Sequence, residues 1–145
     1  MVCEPIVATR EQIEAFLAAD FPHTNCTVEE VGQFGATVSR DIGSADLRPG
    51  GTVAGPVIMG VADLALYVAV LGEVGIVPLA VTTSLTVHFL RKPASNQRIT
   101  GVCKLLKVGK SLAVGEVWLY SGEITEPVAH VVGTYSIPRD SEPRG

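Results

Sequence analysis

Charge is scarce in this chain, and basic charge never gathers. Asp, Glu, Lys and Arg make up 18% of the 145 residues, with a formal net charge of −4. No run of Lys and Arg provides the electrostatic footprint of nucleic-acid binding, so no nucleic-acid partner is expected. Cysteine is equally sparse. Cys3, Cys26 and Cys103 are odd in number and widely spaced, with no zinc or redox spacing. They read as free thiols of a reducing cytoplasm. His23, His88 and His130 are scattered without the spacing of a metal site or a triad. No serine elbow, Walker loop or dinucleotide fingerprint is present, and Gly50-Gly51 alone is no motif. No metal and no cofactor is expected. Met1-Val2-Cys3-Glu4-Pro5 lacks the basic and apolar regions of a secretory leader. The expected location is cytoplasmic.

Apolar residues, at 47%, are plentiful enough for a substantial core in one domain of this length. Combined with so little charge, they predict that surface is buried again by self-association. One stretch imitates a membrane span: from Val53 to Leu71 the only charged residue is Asp63. A central Asp costs about 2.5–3.5 kcal/mol on insertion scales. Pro56 and the glycines also shorten the good helical part. The segment is therefore expected to be a core helix, with no membrane partner.

Thr9-Arg10-Glu11-Gln12 has the form of a capping box. Ile13, Phe16 and Leu17 follow as one apolar stripe, and Pro22 stops the helix, predicting a short amphipathic helix over about 9–20 that packs on a sheet edge. Cys26–Val31 and Phe34–Ile42 read as strands around a Gly32-Gln33 turn. Gly43 to Gly51 is a loop rich in turn formers. The central helix is expected over about 55–72, with Pro56 in its first turn and Gly72 as its stop. It is apolar on nearly every side, so it must be buried nearly all round.

The second half reads as four strands, Ala80–Leu90, Arg98–Val108, Ser111–Ser121 and Pro127–Ile137, with Gly109-Lys110 as a two-residue hairpin turn. A polar tail begins at 139. Without βαβ alternation, the fold class is α+β: an antiparallel sheet wrapped around a long central helix.

Asp63 is the first candidate for chemistry. Its neighbours Val61, Ala62, Leu64 and Ala65 are apolar, and a carboxylate so placed either acts in a site or pairs across a subunit interface. Gly55 lies where the glycine-rich loop enters the helix. Its N–H can polarise a carbonyl or stabilise an oxyanion, or Gly55 serves only the helix start. Thr82, with Ser84 near it, can orient a water or a carboxylate, unless both belong to an exposed polar strand face. Lys107, Gly109, Lys110 and Ser111, and separately Arg91 and Lys92, can bind phosphate or be solvated turns.

The segment from Gly51-Thr52-Val53-Ala54-Gly55-Pro56 through Val61-Ala62-Asp63-Leu64-Ala65 resembles the signature of the hotdog-fold acyl-CoA thioesterases, in the branch of phenylacetyl-CoA-type enzymes. That branch reads Asn-x-x-Gly-x-x-His-Gly-Gly followed by a helix with Leu-Ala-Asp. Val81 to Arg91, Lys107-Val108-Gly109-Lys110-Ser111 and Pro127-Val128-Ala129 resemble its later strands and hairpin, so the resemblance spans roughly residues 30 to 138.

It implies a hotdog fold, a homodimer that often pairs into a tetramer, sites between subunits, and hydrolysis of an acyl-CoA thioester. By resemblance Asp63 is the base or nucleophile, the Gly55 N–H polarises the thioester carbonyl, and Thr82 is a helper hydroxyl. Ala54, Pro56, Met59, Tyr67 and Ser84 would contact the substrate, with Val57 and Leu66 also near the acyl group. Lys107, Gly109, Lys110 and Ser111 would approach the nucleotide end of coenzyme A. Ala54 stands in place of the family's His, Arg48 in place of its Asn, and Pro56 removes one N–H donor. The alternative function is a non-catalytic acyl-CoA-binding hotdog protein. A dehydratase would need a His beside the acid, and no histidine lies near the helix start.

Overall fold

The computed structural model describes residues 7–95 and 97–138; Cys3 and the polar tail from 139 lie outside the described residues. The first helix, α1 (Arg10–Asp20), begins at the expected capping box. The Thr9 hydroxyl accepts the Gln12 N–H at 3.1 Å, and Gln12 Oε1 accepts the Thr9 N–H at 2.9 Å. Its buried residues, Ile13 and Leu17, face strand β1 (Cys26–Gly32) and the central helix.

The central helix, α2 (Gly55–Val74), starts where expected, with Ala54 as N-cap and Pro56 in the first turn. It runs on past Gly72, contrary to the expected stop. Gly75 takes the C-cap instead, at φ 96°, and donates its N–H to Leu71 O at 2.8 Å. Gly72 is there for close approach. A Cβ at this position would lie 2.7 Å from Val31 Cγ1, and the Gly72 carbonyl accepts the Val7 N–H at 2.8 Å.

Around α2 curl β1, β2 (Gly35–Arg40), β3 (Val81–Phe89), β4 (Ile99–Val108), β5 (Leu112–Ser121) and β6 (Ala129–Ser136). All pairings are antiparallel, in the order β1-β2-β4-β5-β6-β3. Every strand touches α2. This is the hotdog arrangement that the resemblance implies. By length and composition α2 would suit a membrane, yet most of it is buried inside the fold as a core helix. Leu66 shows how close the packing is. It sits against Gly115 and Gly133, which face each other across β5 and β6. A Cβ on either would come within 2.8 and 2.5 Å of the Leu66 methyls.

Three turns and registers differ from expectation. The β1–β2 turn is Gln33-Phe34, because Gly32 stays paired with Gly35. Phe34 adopts φ 53°, and its N–H donates to the Glu73 carboxylate at 2.7 Å. The β4–β5 connection spans Gly109 to Ser111, one residue longer than expected, closed by Gly109 N–H to Leu112 O at 2.7 Å. In β3 the simple alternation breaks at a bulge between Thr82 and Ser84.

The two sheet edges are unequal. α1 covers β1. Among the described residues nothing pairs with the outer side of β3, a nine-residue strand whose ends carry exposed Val81, Phe89 and, just beyond, Leu90. Such an edge is a template for another strand.

Two tests follow from the packing. Gly133→Val is expected to destabilise the fold by about 1–3 kcal/mol in chemical denaturation. Leu66→Ala in the same chain should recover part of the loss, because the two side chains compete for one space. Strict additivity of the two losses would contradict this packing. Burial first, and Glu116 second, push the Cys103 thiol up to about 12. At pH 8 it therefore stays protonated, and iodoacetamide is expected to label it only after unfolding, read by peptide mass mapping. Labelling in the native protein would contradict that burial.

Candidate active site

Helix α2 is not sealed all round. Gly60, Asp63, Leu64 and Tyr67, spaced i, i+3, i+4 and i+7, form one face left open between the two edges of the curled sheet. This face floors a groove of about 590 Å³. One wall comes from the β3 side, with Pro78, Ala80, Thr82 and Tyr135. The other comes from the α1–β1 and β2 side, with Phe21, His23, Cys26 and Arg40.

Asp63 is held by two hydroxyls. Its Oδ1 accepts from Thr82 Oγ1 at 2.6 Å and from Tyr135 Oη at 2.7 Å; the same phenol lies 3.0 Å from the Asp63 carbonyl oxygen. The other carboxylate oxygen has no hydrogen-bond partner among the described residues and remains available. Burial first, then the Asp63 charge, holds the Tyr135 phenol well above its ordinary range. Tyr135 is therefore protonated at all working pH values and acts as a donor to the carboxylate. Tyr67 stacks on Tyr135 at 5.9 Å and donates to Pro78 O at 3.2 Å. Its phenol is pushed up to about 12, by burial and then by Asp20.

The β3 bulge puts Thr82 at this carboxylate. Thr82 pairs with Tyr135 across the strands, whereas Ser84 pairs with Thr134 and is exposed. Thr82 and Ser84 therefore do not share a face, and Ser84 does not line the groove.

Gly55 lies elsewhere. It lines a second groove, of about 450 Å³, with Arg48, Phe89, Arg91 and Lys92. Its N–H makes no hydrogen bond within the described residues. A Cβ on Gly55 would stand 3.2 Å from the Phe89 ring, so glycine lets the end of β3 close over the helix start. Eight residues separate Gly55 from Asp63, roughly 12 Å along the helix. One carbonyl group cannot touch both within a single chain.

Of the other expected residues, a few belong to one of the two places and the rest to neither. Tyr67 belongs to the Asp63 groove. Ala54 is the N-cap beside Gly55, and Pro56 is exposed in the first turn with no N–H to give. Met59 and Val57 are half-buried and line neither groove, and Leu66 faces the sheet glycines. Lys107, Gly109, Lys110 and Ser111 also line neither groove. Their hairpin lies at the Tyr135 end of the sheet, where Ile137 N–H donates to Ser111 O at 2.8 Å.

Two residues of the Asp63 groove escaped the sequence analysis. Tyr135 is a hydroxyl on the inward face of β6, whose other inward positions, Ala129, Val131 and Gly133, are small or aliphatic. Arg40 continues the inward positions Ala36 and Val38 of β2. In each case a polar residue at an inward strand position was the available signal. Neither becomes informative until the helix and strand faces are matched.

The model of the thioesterase superfamily matches residues 50–128. A proposed thioesterase from Silicibacter sp. TM1040 is 37% identical, with a TM-score of 0.85 over 92% of this chain and 94% of that one. Zebrafish thioesterase superfamily member 2 superposes at a TM-score of 0.79 with 16% identity, over 90% of this chain and 99% of the other. The PaaI protein of the E. coli phenylacetic acid degradation operon does so at 0.74 with 18% identity, over 88% and 94%. These last two likenesses concern the fold. Among curated proteins none matches the sequence. With its fold, its matched span and its Silicibacter relative in agreement, the chain belongs to the thioesterase superfamily as a hotdog-fold member.

Proposed function

We propose that this protein hydrolyses an acyl-CoA thioester in a site completed by two copies of the chain. The observation that carries this reading is the Asp63 carboxylate, fixed by Thr82 and Tyr135 through one oxygen and open through the other, in a groove large enough for an acyl group. The open oxygen takes a proton from water as that water attacks the thioester carbonyl, or attacks that carbon itself to form a mixed anhydride that water then hydrolyses; in both routes the C–S bond breaks, the thiolate leaves and takes up a proton, and the free acid is released. The developing oxyanion needs an N–H donor, and the unpartnered Gly55 N–H is suited to it.

The bare edge of β3 supports a second subunit as the source of that donor. In β3, Thr82 lies at the Asp63 end and Phe89 at the Gly55 end. Antiparallel pairing of β3 with its copy would set one protomer's Phe89 end beside its partner's Thr82 end. A Gly55 N–H from one chain would then approach the Asp63 of the other. The same pairing would bring the Gly109-Lys110 hairpin of one chain toward Arg48, Arg91 and Lys92 of the other, a cationic cleft suited to the phosphates of coenzyme A. Arg91 is already engaged by Glu126 and Pro127 O, whereas Arg48 and Lys92 are in no ion pair among the described residues. A further pairing of dimers is compatible with the low surface charge. The three widely spaced cysteines suit a reducing cytoplasm.

Non-catalytic acyl-CoA binding is the second reading, and Pro56 favours it by leaving the helix start one N–H short. A single assay separates the two. Thiol release should be measured over a panel from acetyl- to palmitoyl-CoA with benzoyl- and phenylacetyl-CoA. Asp63→Asn should lower turnover about 10²–10⁴-fold, the usual scale for losing a general base, while the melting temperature stays within a few degrees because the amide oxygen still accepts both hydroxyls. Binding without turnover in the unmodified protein would select the second reading. Unchanged turnover in Asp63→Asn would reject the site. In a separate series, Arg48→Glu and Lys92→Glu should each raise KM with little change in kcat, most strongly at low salt. Equal KM values across salt would remove the cleft from the coenzyme A path.

A further inference from the structure

The two walls of the Asp63 groove differ in chemistry. The β3 side supplies the hydroxyls that hold the carboxylate. The opposite side presents Arg40, at a strand position whose predecessors on the same face, Ala36 and Val38, are buried and apolar. A permanently charged guanidinium at an inward position costs desolvation unless its donors are used. Few of them are. Nη2 donates to Asp46 Oδ1 at 2.7 Å, a single contact rather than a two-pronged one. Asp46 shares its charge, since its Oδ2 also accepts the Gly43 N–H at 2.9 Å. Arg40 Nε is enclosed and has no partner among the described residues. The side chain is 21% exposed, and it borders the groove. The terminal N–H groups of the fork that Asp46 does not use are thus a cationic donor set beside the place where the acyl group would lie.

Electrostatics sharpen the point. A substrate tail with its own negative charge would be repelled by Asp63 across this groove. The lining residues able to offset that repulsion are Arg40 and, when protonated, His23 on the same wall. An uncharged tail has no use for either.

Building on the thioesterase reading above, we propose that Arg40 is a specificity-determining residue, and that the preferred acyl group carries an anionic end, such as a terminal carboxylate, which the Arg40 guanidinium receives across the groove from Asp63. The thioester carbon lies at Asp63, the acyl chain crosses the groove floor over Gly60 and Leu64, and the carboxylate ends at the α1–β2 wall.

The test compares substrates matched in shape. Succinyl-, glutaryl- and adipoyl-CoA are set against unbranched acyl-CoAs in which a methyl replaces the carboxylate, and para-carboxybenzoyl-CoA against para-methylbenzoyl-CoA. In the unmodified protein at least one carboxylated member should exceed its methyl partner by about tenfold or more in kcat/KM, the scale of a charge-assisted hydrogen bond kept or lost. Arg40→Met should reduce that preference to within about twofold while methyl-ended substrates are still turned over, and Arg40→Lys should keep part of it. Should Arg40→Met fail to fold, the unmodified protein alone decides, because methyl-ended substrates preferred throughout would overturn the proposal. A preference that survives in folded Arg40→Met would overturn it too. Turnover without carboxylate preference rejects this inference and leaves the thioesterase reading standing. With no turnover of any thioester that reading falls, and the same comparison is read as Kd with the non-hydrolysable thioether analogues, where equal binding rejects the role of Arg40.

Discussion

Burial of α2 is the constraint on which everything else rests. A twenty-residue helix with scarcely a polar side chain must be covered, and a sheet can cover it only by curling. The curl needs close approach, and small residues permit it: Gly115 and Gly133 seat Leu66, Gly101 lies against Val61, and Gly72 lets β1 and the chain before α1 close over the helix end. A six-stranded sheet still does not close into a barrel. One strip of the helix stays open, and the polar residue Asp63 lies on that strip. Groove and carboxylate are thus two consequences of a single packing problem.

The carboxylate itself is oriented by the strands beside it. Thr82 and Tyr135 come from neighbouring strands and pair directly, just before β3 bulges. The bulge turns the hydroxyl inward while returning Leu85 to the core side, where its methyl packs over Gly133. With one oxygen anchored by two donors, the other keeps a defined direction, as an attacking or proton-accepting group must. The Tyr67–Tyr135 stack ties the groove floor to one wall.

Much of this was legible in the sequence, and the failures share a cause. The capping box at Thr9, the start of α2 at Gly55 and the antiparallel character of the second half all rest on local chemistry, and each agrees with the structure. Asp63 stood out because its neighbours are apolar. By contrast Gly72 resembled a helix stop until Val31 was seen to need its missing side chain. Thr82 and Ser84 looked equivalent because a bulge leaves no mark in an alternating pattern. Tyr135 and Arg40 acquire meaning only from what lies across from them. Positions defined by long-range approach are the ones that local patterns misread or miss.

The account's central claim is that Asp63 of one chain works with Gly55 of another, since the two stand too far apart on one helix to share a carbonyl group. Mixed dimers test it directly. Two differently tagged chains, one Asp63→Asn and the other Gly55→Pro, are co-expressed and the heterodimer is isolated; proline removes the N–H at a helix-start position, at the cost of a small shift of the Phe89 ring, which lies 3.2 Å from the added Cβ. Each parent homodimer should be inactive. If the site is shared between chains, the heterodimer contains one site with both groups intact and should recover about half the activity of the unmodified dimer, as the linkage of one intact site in two requires. A heterodimer as inactive as its parents would contradict the account and return both groups to a single chain.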